Sequence, residues 1–513
     1  KNKGVLRQEI NSLIDQLTSG NKVFDFDVYF SEVFSLKQGF DIVLANPPYL
    51  GEKGYKEIFR NIKRSRLGGF YLGKMDIFYF FFHLAINLCK EKGVVSFITT
   101  NYYPTATGAK KLRKDFKERT VIKELINFNE LKIFESAKGQ HNMITILQKI
   151  TNDDAIANTS IIQREGMATN ELLHQILQGD DKDTIYNQVK QENIYDGEEY
   201  YIRLSGKAGL SGDPLHGVLD KVKKQGTLLH YIANIKQGIV SGCDYVSNRN
   251  IGKLKSKTEI SLNDGIFVLN LENPRDVKIV NSFNSEERKL LKPFYKNSDI
   301  TKYWSKIKPT KLILYTGREF NDIDRYPNVK NHLNNYRGIL NDRREVINNR
   351  IKFFHLQWPR NEELFIGEKI VVPYRSEINS FAYNNSEWFC RSDSYVITKR
   401  DREISLKYIL SLLNSKLYYF WFYHRGKRKG EILELFQIPL SEAPIKKIPL
   451  DKQEAFIKLV DKVLSITDID TYPNNREAQK MVKDIGVKID QLVYELYGLT
   501  EEEIAIVEES VGR

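Results

Sequence analysis

The first third of the chain alternates between short apolar runs and stretches with apolar residues at helical spacing. The apolar runs are rich in β-branched side chains, as buried strands are, and they cover residues 40–45, 93–99, 121–128 and 143–148. Helical spacing marks residues 5–17, with an end near Gly20, and residues 76–90 and 105–117. Strands that alternate with helices predict an α/β domain with a mainly parallel sheet, which we assign to residues 1–150.

The pattern changes after that domain. Residues 151–230 are more polar, and we assign them to a connector. Residues 231–450 combine short strands with many turns, which predicts a mixed α+β domain. Residues 451–513 return to helical spacing, and Gly498 followed by a Thr-x-x-Glu sequence predicts a helix stop and a capping box. Ahead of the first strand, residues 24–30 alternate between apolar and polar positions and predict an extended segment.

The tetrapeptide Asn46-Pro47-Pro48-Tyr49 follows the first apolar run directly. The prolines fix the backbone and keep the preceding residues extended, so we expect the Asn46 amide oxygen and the Pro47 carbonyl oxygen to point the same way. Tyr49 adds a flat face for a planar ligand. Two such acceptors beside a ring suit the exocyclic amine of a nucleobase, because hydrogen bonds from both amine hydrogens leave its lone pair free to attack. The alternative is an ordinary turn that ends a strand.

This tetrapeptide after a buried strand resembles motif IV of the amino DNA methyltransferases, specifically the adenine-N6 enzymes of bacterial restriction-modification systems. Residues 30–34 and 39–43 are similar to the lead-in of the large fused type IIG subgroup. The resemblance implies methyl transfer from S-adenosyl-L-methionine to an adenine flipped out of double-stranded DNA. It places Asn46, Pro47 and Pro48 at the amine and stacks Tyr49 on the base.

Further segments resemble other motifs of the same family. Residues 76–81 match motif V, residues 93–103 motif VI and residues 139–143 motif VIII. The family commonly places an aromatic ring from motif VIII on the second face of the base, and His141 is the planar ring available here. A surface histidine is the alternative. The carboxyl-terminal target recognition domain of these enzymes is similar to residues 237–242, 290–294, 299–303, 368–373 and 409–416.

The family's cofactor loop and its acidic ribose-binding residue do not occur before Asn46. Too few residues precede Asn46 for three strands with crossover helices. We therefore expect the carboxyl-terminal half of a Rossmann-like methyltransferase sheet, with the missing amino-terminal part as a possible partner. The residues that bind the cofactor are unassigned, and no metal ligands are predicted. Mg²⁺ is expected only for a nuclease that a type IIG protein would carry outside this chain.

The charge and the cysteine content of the chain indicate the kind of partner and the compartment. The chain has 78 Lys and Arg against 66 Asp and Glu, and a net charge of +12 favours a polyanionic partner. Three scattered cysteines fit neither a disulfide framework nor a zinc site, so we expect a cytoplasmic protein, and no signal peptide or membrane-spanning run is present. Basic residues suited to DNA phosphates are Lys53, Lys56, Arg64, Arg66, Arg343, Arg344, Arg425, Lys427, Arg428 and Lys429. A solvated charged loop is the alternative for each group.

The sequence thus predicts a site-specific adenine-N6 DNA methyltransferase, joined to a nuclease outside this chain. Asn46 and Pro47 would polarise the amine and Tyr49 would stack on the flipped base. The main alternative is a DNA-binding specificity module with an inactive methyltransferase remnant. Methylation of cytosine N4 or of glutamine is a smaller rival, because related Pro-Pro-Tyr motifs serve those amines; a long recognition domain argues against glutamine.

Overall fold

The computed structural model describes residues 3–17, 24–135, 141–205, 214–254, 260–429 and 432–511. The chain divides into two compact units, residues 1–216 and residues 217–513. The predicted helix end at Gly20 lies outside the described residues. Among the helices that are described, none is long and apolar enough to cross a membrane.

A six-stranded sheet forms the centre of the amino-terminal unit. The strands of this unit are β1 (Phe40–Ala45), β2 (Cys89–Thr100), β3 (Val121–Asn127), β4 (Leu131–Lys132), β5 (Asn142–Gln148), β6 (Ile156–Ile162), β7 (Gly166–Met167), β8 (Thr184–Lys190), β9 (Tyr195–Asp196) and β10 (Tyr201–Ile202). The order in the large sheet is β1-β2-β5-β3-β6-β8. Its four predicted strands are confirmed, and the α/β class with them.

The directions of the strands differ from the prediction of a mainly parallel sheet. β1 is parallel to β2 and β3 is parallel to β6, but β5 lies antiparallel between β2 and β3, and β8 is antiparallel to β6. The sheet is therefore mixed, because β5 returns from β3 without the crossover helix that a parallel pair requires. β6 and β8 belong to residues 151–230, so part of the predicted connector extends this sheet.

Eight helices are described in the amino-terminal unit up to residue 205: α1 (Lys3–Leu17), α2 (Phe26–Tyr29), α3 (Ser31–Lys37), α4 (Lys56–Arg64), α5 (Ile77–Leu88), α6 (Lys110–Arg119), α7 (Asn170–Gln178) and α8 (Gln191–Ile194). α1, α5 and α6 confirm the predicted helices. The predicted extended segment at residues 24–30 is wrong, because α2 occupies most of it. The Asp25 side chain accepts a hydrogen bond from the Asp27 amide and so caps α2. The Phe24 ring stacks on the Tyr29 ring with centroids 4.7 Å apart, and it meets the Phe26 ring edge-on at 4.9 Å.

Each face of the large sheet has its own apolar core. On one face, Phe97 of β2 and Leu147 of β5 are buried with Phe82 of α5 and Phe116 of α6. On the other face, residues of β3 and β6 are buried against Ile176 of α7. The first core covers the sheet from β1 to β6, whereas the second covers the opposite face at β3 and β6.

β1 is an edge of the sheet formed by the described residues, since it pairs with β2 alone. Val43 and Ala45 point to the packed face. Ile42 and Leu44 point to the other face and are 67% and 77% exposed. Two exposed aliphatic side chains on an edge strand are unusual, because natural edge strands are mostly protected by charged residues or by a covering element.

Two four-stranded sheets organise the carboxyl-terminal unit. One joins Ala233–Gln237, Ser394–Lys399, Lys369–Pro373 and Ala382–Asn384, all antiparallel. The other joins Val268–Asn270, Lys311–Leu314, Leu291–Tyr295 and Phe389–Cys390, and its last pair is parallel. A shared core that includes Ile239, Ile313, Val371 and Trp388 confirms the predicted α+β character.

Shorter elements complete this unit. The remaining strands are Thr227–Leu228, Ile300–Thr301, Trp304–Ser305, Arg375–Ser376, Arg428–Lys429, Ile432–Glu434 and Pro444–Ile445. The helices before residue 450 are Pro214–Gln225, Leu229–Ile232, Pro274–Ser282, Ser285–Arg288, Pro327–Asn335, Arg337–Asn341, Arg344–Ile347, Leu406–Leu413, Lys416–Arg425 and Gln437–Ser441.

The carboxyl-terminal segment is helical, as predicted, and consists of Leu450–Thr467, Arg476–Tyr497 and Glu501–Val511. Gly498 ends the second helix with a left-handed φ of 64°. The Thr500 amide donates to Glu503 Oε2 at 2.8 Å, and the Glu503 amide donates to Thr500 Oγ1 at 3.2 Å. These reciprocal bonds are the predicted capping box.

Candidate functional site

The tetrapeptide of residues 46–49 leaves the carboxyl end of β1, beside the carboxyl end of its parallel neighbour β2. Asn46 is exposed, whereas Pro47 is buried. Among the described residues no group donates a hydrogen bond to the Pro47 carbonyl, and Pro48 has no N–H to offer. The two predicted acceptors therefore both lie at the edge where open α/β sheets bind ligands.

Tyr49 fixes the orientation of the Asn46 amide. Its hydroxyl donates to Asn46 Oδ1 at 2.8 Å and shares the same hydrogen with the Ile98 carbonyl of β2 at 3.1 Å. An amide oxygen has two lone pairs, so one remains for an incoming N–H donor. The Tyr49 ring is half-buried and meets Phe78 edge to face, with ring centroids 6.1 Å apart. One tyrosine thus orients the amide and leaves part of its ring accessible for stacking.

Asp76 anchors the loop that follows Tyr49. Its carboxylate accepts from the Leu50 amide at 3.0 Å and from the Phe78 amide at 3.5 Å, where it caps α5. The Ile77 amide donates to the Leu50 carbonyl at 3.1 Å, so the loop and the helix start are joined twice. Burial raises the pKa of Asp76, and the amides that it accepts from oppose that rise. Sequence reasoning had placed Asp76 in motif V without a physical role.

Asn142, at the start of β5, is a further residue at this site, which sequence reasoning had placed in motif VIII without a physical role. Its side chain is buried and lies beside the Tyr49 hydroxyl: burial raises the pKa of Tyr49, Asn142 lowers it and Asp76 raises it again. Asn142 Nδ2 is buried and makes no hydrogen bond of standard geometry to another described residue. An unsatisfied buried donor costs about 1–3 kcal/mol, which a ligand acceptor would recover.

His141 lies near the carboxyl end of β2. Its Nδ1 is 2.8 Å from the Asn129 carbonyl, and its ring meets the exposed Tyr102 ring edge-on at 6.2 Å between centroids. Gly139 and Gln140, which belong to the same predicted motif, lie outside the described residues. His141 is thus positioned as a neighbour of the turn after β2, and its proposed stacking on a base stays a prediction. Tyr102 is an additional ring there that sequence reasoning missed.

An apolar cavity of about 240 Å³ lies on the sheet face opposite α5 and α6. Ile98 of β2, Ile144 of β5 and Phe134 contribute to its lining. Ile98 therefore faces the cavity with its side chain while its carbonyl holds the Tyr49 hydroxyl. The cavity adjoins the candidate site without containing a polar group of it.

The described residues do not form a complete binding site for a cofactor that contains a nucleoside. Within residues 24–45, β1 is the sole strand, and no glycine-rich turn between a strand and a helix precedes Asn46. Such a turn is what parallel α/β sheets use to hold a cofactor's polar groups. The residues that are described fit the amine side of a methyl transfer, and we assign none of them to the methyl donor.

The predicted basic residues after Tyr49 lie on or beside α4. Lys53, Lys56, Arg64 and Arg66 are exposed, and none forms an ion pair with a described residue. Arg60 and Lys63 share these properties, and the Lys63 ammonium lies 5.0 Å from the Tyr71 ring centroid. Unpaired cations on an exposed helix are available to a polyanion.

Arg343 does not fit its predicted role in the carboxyl-terminal unit. It is 7% exposed, and its guanidinium donates to the carbonyls of Leu340, Ser241, His355 and Phe353. Those carbonyls occupy the donors that a phosphate would need, so Arg343 ties segments together instead. Arg344 is exposed at the start of Arg344–Ile347.

The predicted basic cluster at residues 425–429 is partly neutralised. Lys427 Nζ is 3.4 Å from Glu434, which also binds Arg375 at 2.7 Å. The Arg428 guanidinium stacks on Tyr423, 3.8 Å from the ring centroid. Arg425 ends the helix Lys416–Arg425, and Lys429 lies in the strand Arg428–Lys429. This cluster is therefore less available to phosphate than its sequence indicates.

Two family models match the chain. The model of the Eco57I restriction-modification methylase matches residues 1–134, and the model of the TaqI-like C-terminal specificity domain matches residues 292–445. The chain thus combines a region similar to a restriction-modification methylase with a region similar to a TaqI-like C-terminal specificity domain. We refer to residues 1–216 as the methylase unit and to residues 217–513 as the specificity unit.

Over most of its length the chain is also similar to type II methyltransferases. It is 26% identical over 474 residues to the type II methyltransferase M.HincII of Haemophilus influenzae, a match that covers 89% of this chain and 83% of that protein. M.HindII of Haemophilus influenzae is 25% identical over 476 residues with the same coverage. The type IIL restriction-modification enzyme MmeI, solved in complex with DNA, shares the fold with a TM-score of 0.58 at 14% identity. That match covers 91% of this chain and 56% of the MmeI chain.

Proposed function

We propose that the protein is a site-specific DNA adenine-N6 methyltransferase of a restriction-modification system. Its substrate is double-stranded DNA from which the target adenine is flipped, and its methyl donor is S-adenosyl-L-methionine. The observation that carries the proposal is the exposed Asn46 amide, oriented by the Tyr49 hydroxyl at the carboxyl end of β1. The type II methyltransferase relatives and the DNA-bound MmeI support DNA as the substrate.

The chemistry proposed for this chain concerns the amine. Asn46 Oδ1 and the Pro47 carbonyl accept its two hydrogens, which localises the lone pair on nitrogen and makes it a better nucleophile. The accessible part of the Tyr49 ring stacks on the extruded base, and stacking offsets the few kcal/mol that flipping costs. Burial raises the pKa of Tyr49, so its hydroxyl stays protonated and keeps its bond to Asn46 near neutral pH.

Asn46→Ala in the full-length protein tests this proposal. Methylation of plasmid DNA should fall by about 10²–10³-fold, since removing one oriented polar group from a transition state has that effect elsewhere. The affinity for DNA, measured by fluorescence anisotropy, should change little. Asn281→Ala is the matched control, because Asn281 is an exposed helical residue of the specificity unit. Mass spectrometry of the nucleosides should show N6-methyladenine. N4-methylcytosine, or unchanged methylation by Asn46→Ala, would reject the assignment.

A second candidate function follows from the incomplete cofactor cradle of the described residues. In that case the chain is a DNA-binding specificity module whose methylase unit does not catalyse. Calorimetric titration of the full chain with S-adenosyl-L-methionine separates the two candidates. Heat of binding supports the enzyme, whereas no heat together with retained DNA binding supports the module.

A further inference from the structure

Trp358 is the most exposed tryptophan of the chain. Its side chain is 37% exposed, whereas Trp304, Trp388 and Trp421 are at most 7% exposed. Since the chain contains four tryptophans and the structure describes each of them, a signal from a solvent-accessible tryptophan reports on Trp358. A large aromatic side chain that remains in water is a candidate contact for a partner.

Trp358 is seated on a fixed backbone. Its amide donates to the Val240 carbonyl at 2.8 Å, and the Val240 amide donates to the Trp358 carbonyl at 3.1 Å. The Gln357 amide donates to the Ser241 carbonyl at 3.1 Å. On the other side, the Tyr315 hydroxyl donates to the Arg360 carbonyl at 2.8 Å. The ring is therefore presented by a segment that is held from both sides.

Arg360, two residues further on, has a left-handed backbone with a φ of 68°. A residue with a Cβ seldom adopts this conformation unless its surroundings enforce it, and such strain is concentrated at functional sites. The Arg360 guanidinium donates to the Gln237 carbonyl at 3.1 Å and to the Gly238 carbonyl at 3.2 Å. The strained turn thus directs an exposed cation along the same edge as Trp358.

Four cations belong to or contact residues 352–360, and each contacts a ring, a carbonyl or a side-chain amide instead of a carboxylate. The guanidinium of Arg318 lies 5.8 Å from the Trp358 ring centroid, and that of Arg337 lies 4.3 Å from the Phe353 centroid. Lys352 lies 5.5 Å from the Phe354 centroid. In the part of the chain that is described, none of Arg318, Arg337, Lys352 and Arg360 forms an ion pair. We call Trp358 and these four cations the aromatic-cation patch.

Three carboxylates in the sequence neighbourhood of the aromatic-cation patch pair with cations outside it. Asp322 pairs with Arg325 at 3.1 Å and Glu362 pairs with Lys292 at 2.5 Å, while Asp342 pairs with Lys253. Burial lowers the pKa of His355, its hydrogen bond to the Phe320 carbonyl raises it, and the charges of Lys352, Arg343 and Arg318 lower it further. A ring and several unpaired cations on a rigid edge match the surface of a nucleic acid, which offers base faces and phosphates.

We propose that the aromatic-cation patch is a DNA-contacting surface of the specificity unit, with Trp358 against the bases and the four cations on phosphates. This inference rests on the proposed function, because it names the residues through which the same DNA substrate is held. It assigns base contact to one side chain and sequence-independent grip to the others. A ring against base edges or a base step affects the choice of sequence, whereas cations on phosphates affect affinity for every sequence alike.

Acrylamide quenching of tryptophan fluorescence tests the proposal without any need for methylation. In the free protein a quenchable component should be present, and Trp358→Phe should remove it. Saturating plasmid fragments, with binding followed separately by anisotropy, should protect this component in the wild type and in Asn46→Ala. If DNA binds but leaves Trp358 as quenchable as before, this proposal falls while the proposed function stands. If DNA does not bind at all, both fall together.

Substitutions add a second measurement. Trp358→Ala should weaken DNA binding about tenfold or more and alter the sites that are methylated, as read by sequencing of modified DNA. Tyr231→Ala is the matched control, because Tyr231 is a 63% exposed aromatic residue of the same unit. Arg318→Gln should weaken binding to all sequences and lower the salt slope of log K by about 1. Wild-type affinity and site choice for Trp358→Ala would overturn the proposal. Thermal melting of each variant checks that the specificity unit is folded.

Discussion

The methylase unit and the specificity unit arrange their candidate functional groups in opposite ways. In the methylase unit, the proposed amine-binding groups come from four consecutive residues, 46–49, which directly follow one strand. In the specificity unit, the aromatic-cation patch combines Trp358 with Arg318, Arg337, Lys352 and Arg360. Hydrogen bonds to Val240 and Tyr315 hold the backbone at Trp358 and Arg360. A local backbone geometry positions the first site, whereas tertiary packing positions the second.

This difference determines what a substitution should change. A change in the loop of residues 46–49 alters atoms that face the reacting amine, so the rate should respond more than the affinity. A change in the aromatic-cation patch alters groups that grip or select DNA, so affinity and site choice should respond more than the rate. Five further predictions compare the two units, from the largest expected effect to the smallest.

Acid should damage the specificity unit first. Burial lowers the pKa of His332 to about 4 from its ordinary 6.5, so the unfolded chain binds more protons than the folded unit between these two values. Above pH 6.5 His332 is neutral in both states and does not affect the free energy of unfolding. As the pH falls from 6.5 to 4, protonation of His332 in the unfolded chain lowers this free energy by roughly 3 kcal/mol. All four tryptophans lie in this unit, so urea unfolding followed by their fluorescence reports on it. His332→Gln should flatten the pH dependence, and an unchanged slope would contradict the assignment.

Acid should affect the methylase unit less through its own buried histidine. Burial lowers the pKa of His83, but Asp115, whose Oδ2 is 2.5 Å from His83 Nδ1, raises it again. Because these effects oppose each other, unfolding should lead to less proton uptake at His83 than at His332. Equal acid sensitivity of both units, measured by hydrogen exchange along the chain, would remove this distinction.

Asp76→Ala should lower the methylation rate about 10- to 100-fold while DNA affinity stays nearly unchanged. The substitution removes the acceptor that joins the Leu50 amide to the start of α5, so Asn46 loses its fixed position, and losing a helix cap costs about 1 kcal/mol. Asp76→Asn keeps an acceptor and should restore most of the rate. If Asp76→Asn were as slow as Asp76→Ala, the carboxylate charge would matter and not the anchor.

The triple substitution of Lys56, Arg64 and Arg66 by Gln should weaken DNA binding without changing which sequences are methylated. Each lost phosphate contact lowers the salt slope of log K by about 0.9, so the slope should fall by nearly 3. The matched control replaces Lys114, Lys123 and Lys182, which also lie in this unit. A change of site preference in the α4 variant would show that the methylase unit also reads sequence.

Tyr49→Phe should have the smallest effect of these changes, about five- to tenfold on the methylation rate. It keeps the ring against Phe78 and removes the hydroxyl that orients Asn46, a hydrogen bond worth about 1 kcal/mol. Tyr49→Ala also removes the stacking face and should be markedly slower. Equal rates for the two variants would assign the whole contribution of Tyr49 to its hydroxyl.

Sequence patterns predicted the parts of the structure that depend on neighbouring residues. The four strands of the first domain, its main helices and the capping box at Thr500 follow from periodicity and local hydrogen bonding. The antiparallel insertion of β5 did not follow, since strand direction depends on how distant segments pair. Residues 26–29 form α2 although residues 24–30 alternate in sequence, and the Phe24 ring stacks on the Tyr29 ring across this turn.

The candidate site shows the same limit. Residues 46–49 were predicted from their own chemistry, but the roles of Asp76 and Asn142 emerge only once β1, α5 and β5 are brought together. Among the basic clusters, adjacent arginines gave a misleading signal, because Arg343 turned inward to carbonyls. Trp358 and Arg318 had no sequence signal, since forty residues separate a ring and a cation that meet in space.

Among the described residues, β1 has an open edge that leads directly to the proposed amine-binding loop. Its free row of N–H and C=O groups, with Ile42 and Leu44 beside it, is a template on which another polypeptide can lay a strand. Any chain that does so grips the same strand whose next residue is Asn46. The proposed amine acceptor therefore adjoins a strand edge that can accept a further strand, so a polypeptide that pairs with β1 would lie directly beside Asn46.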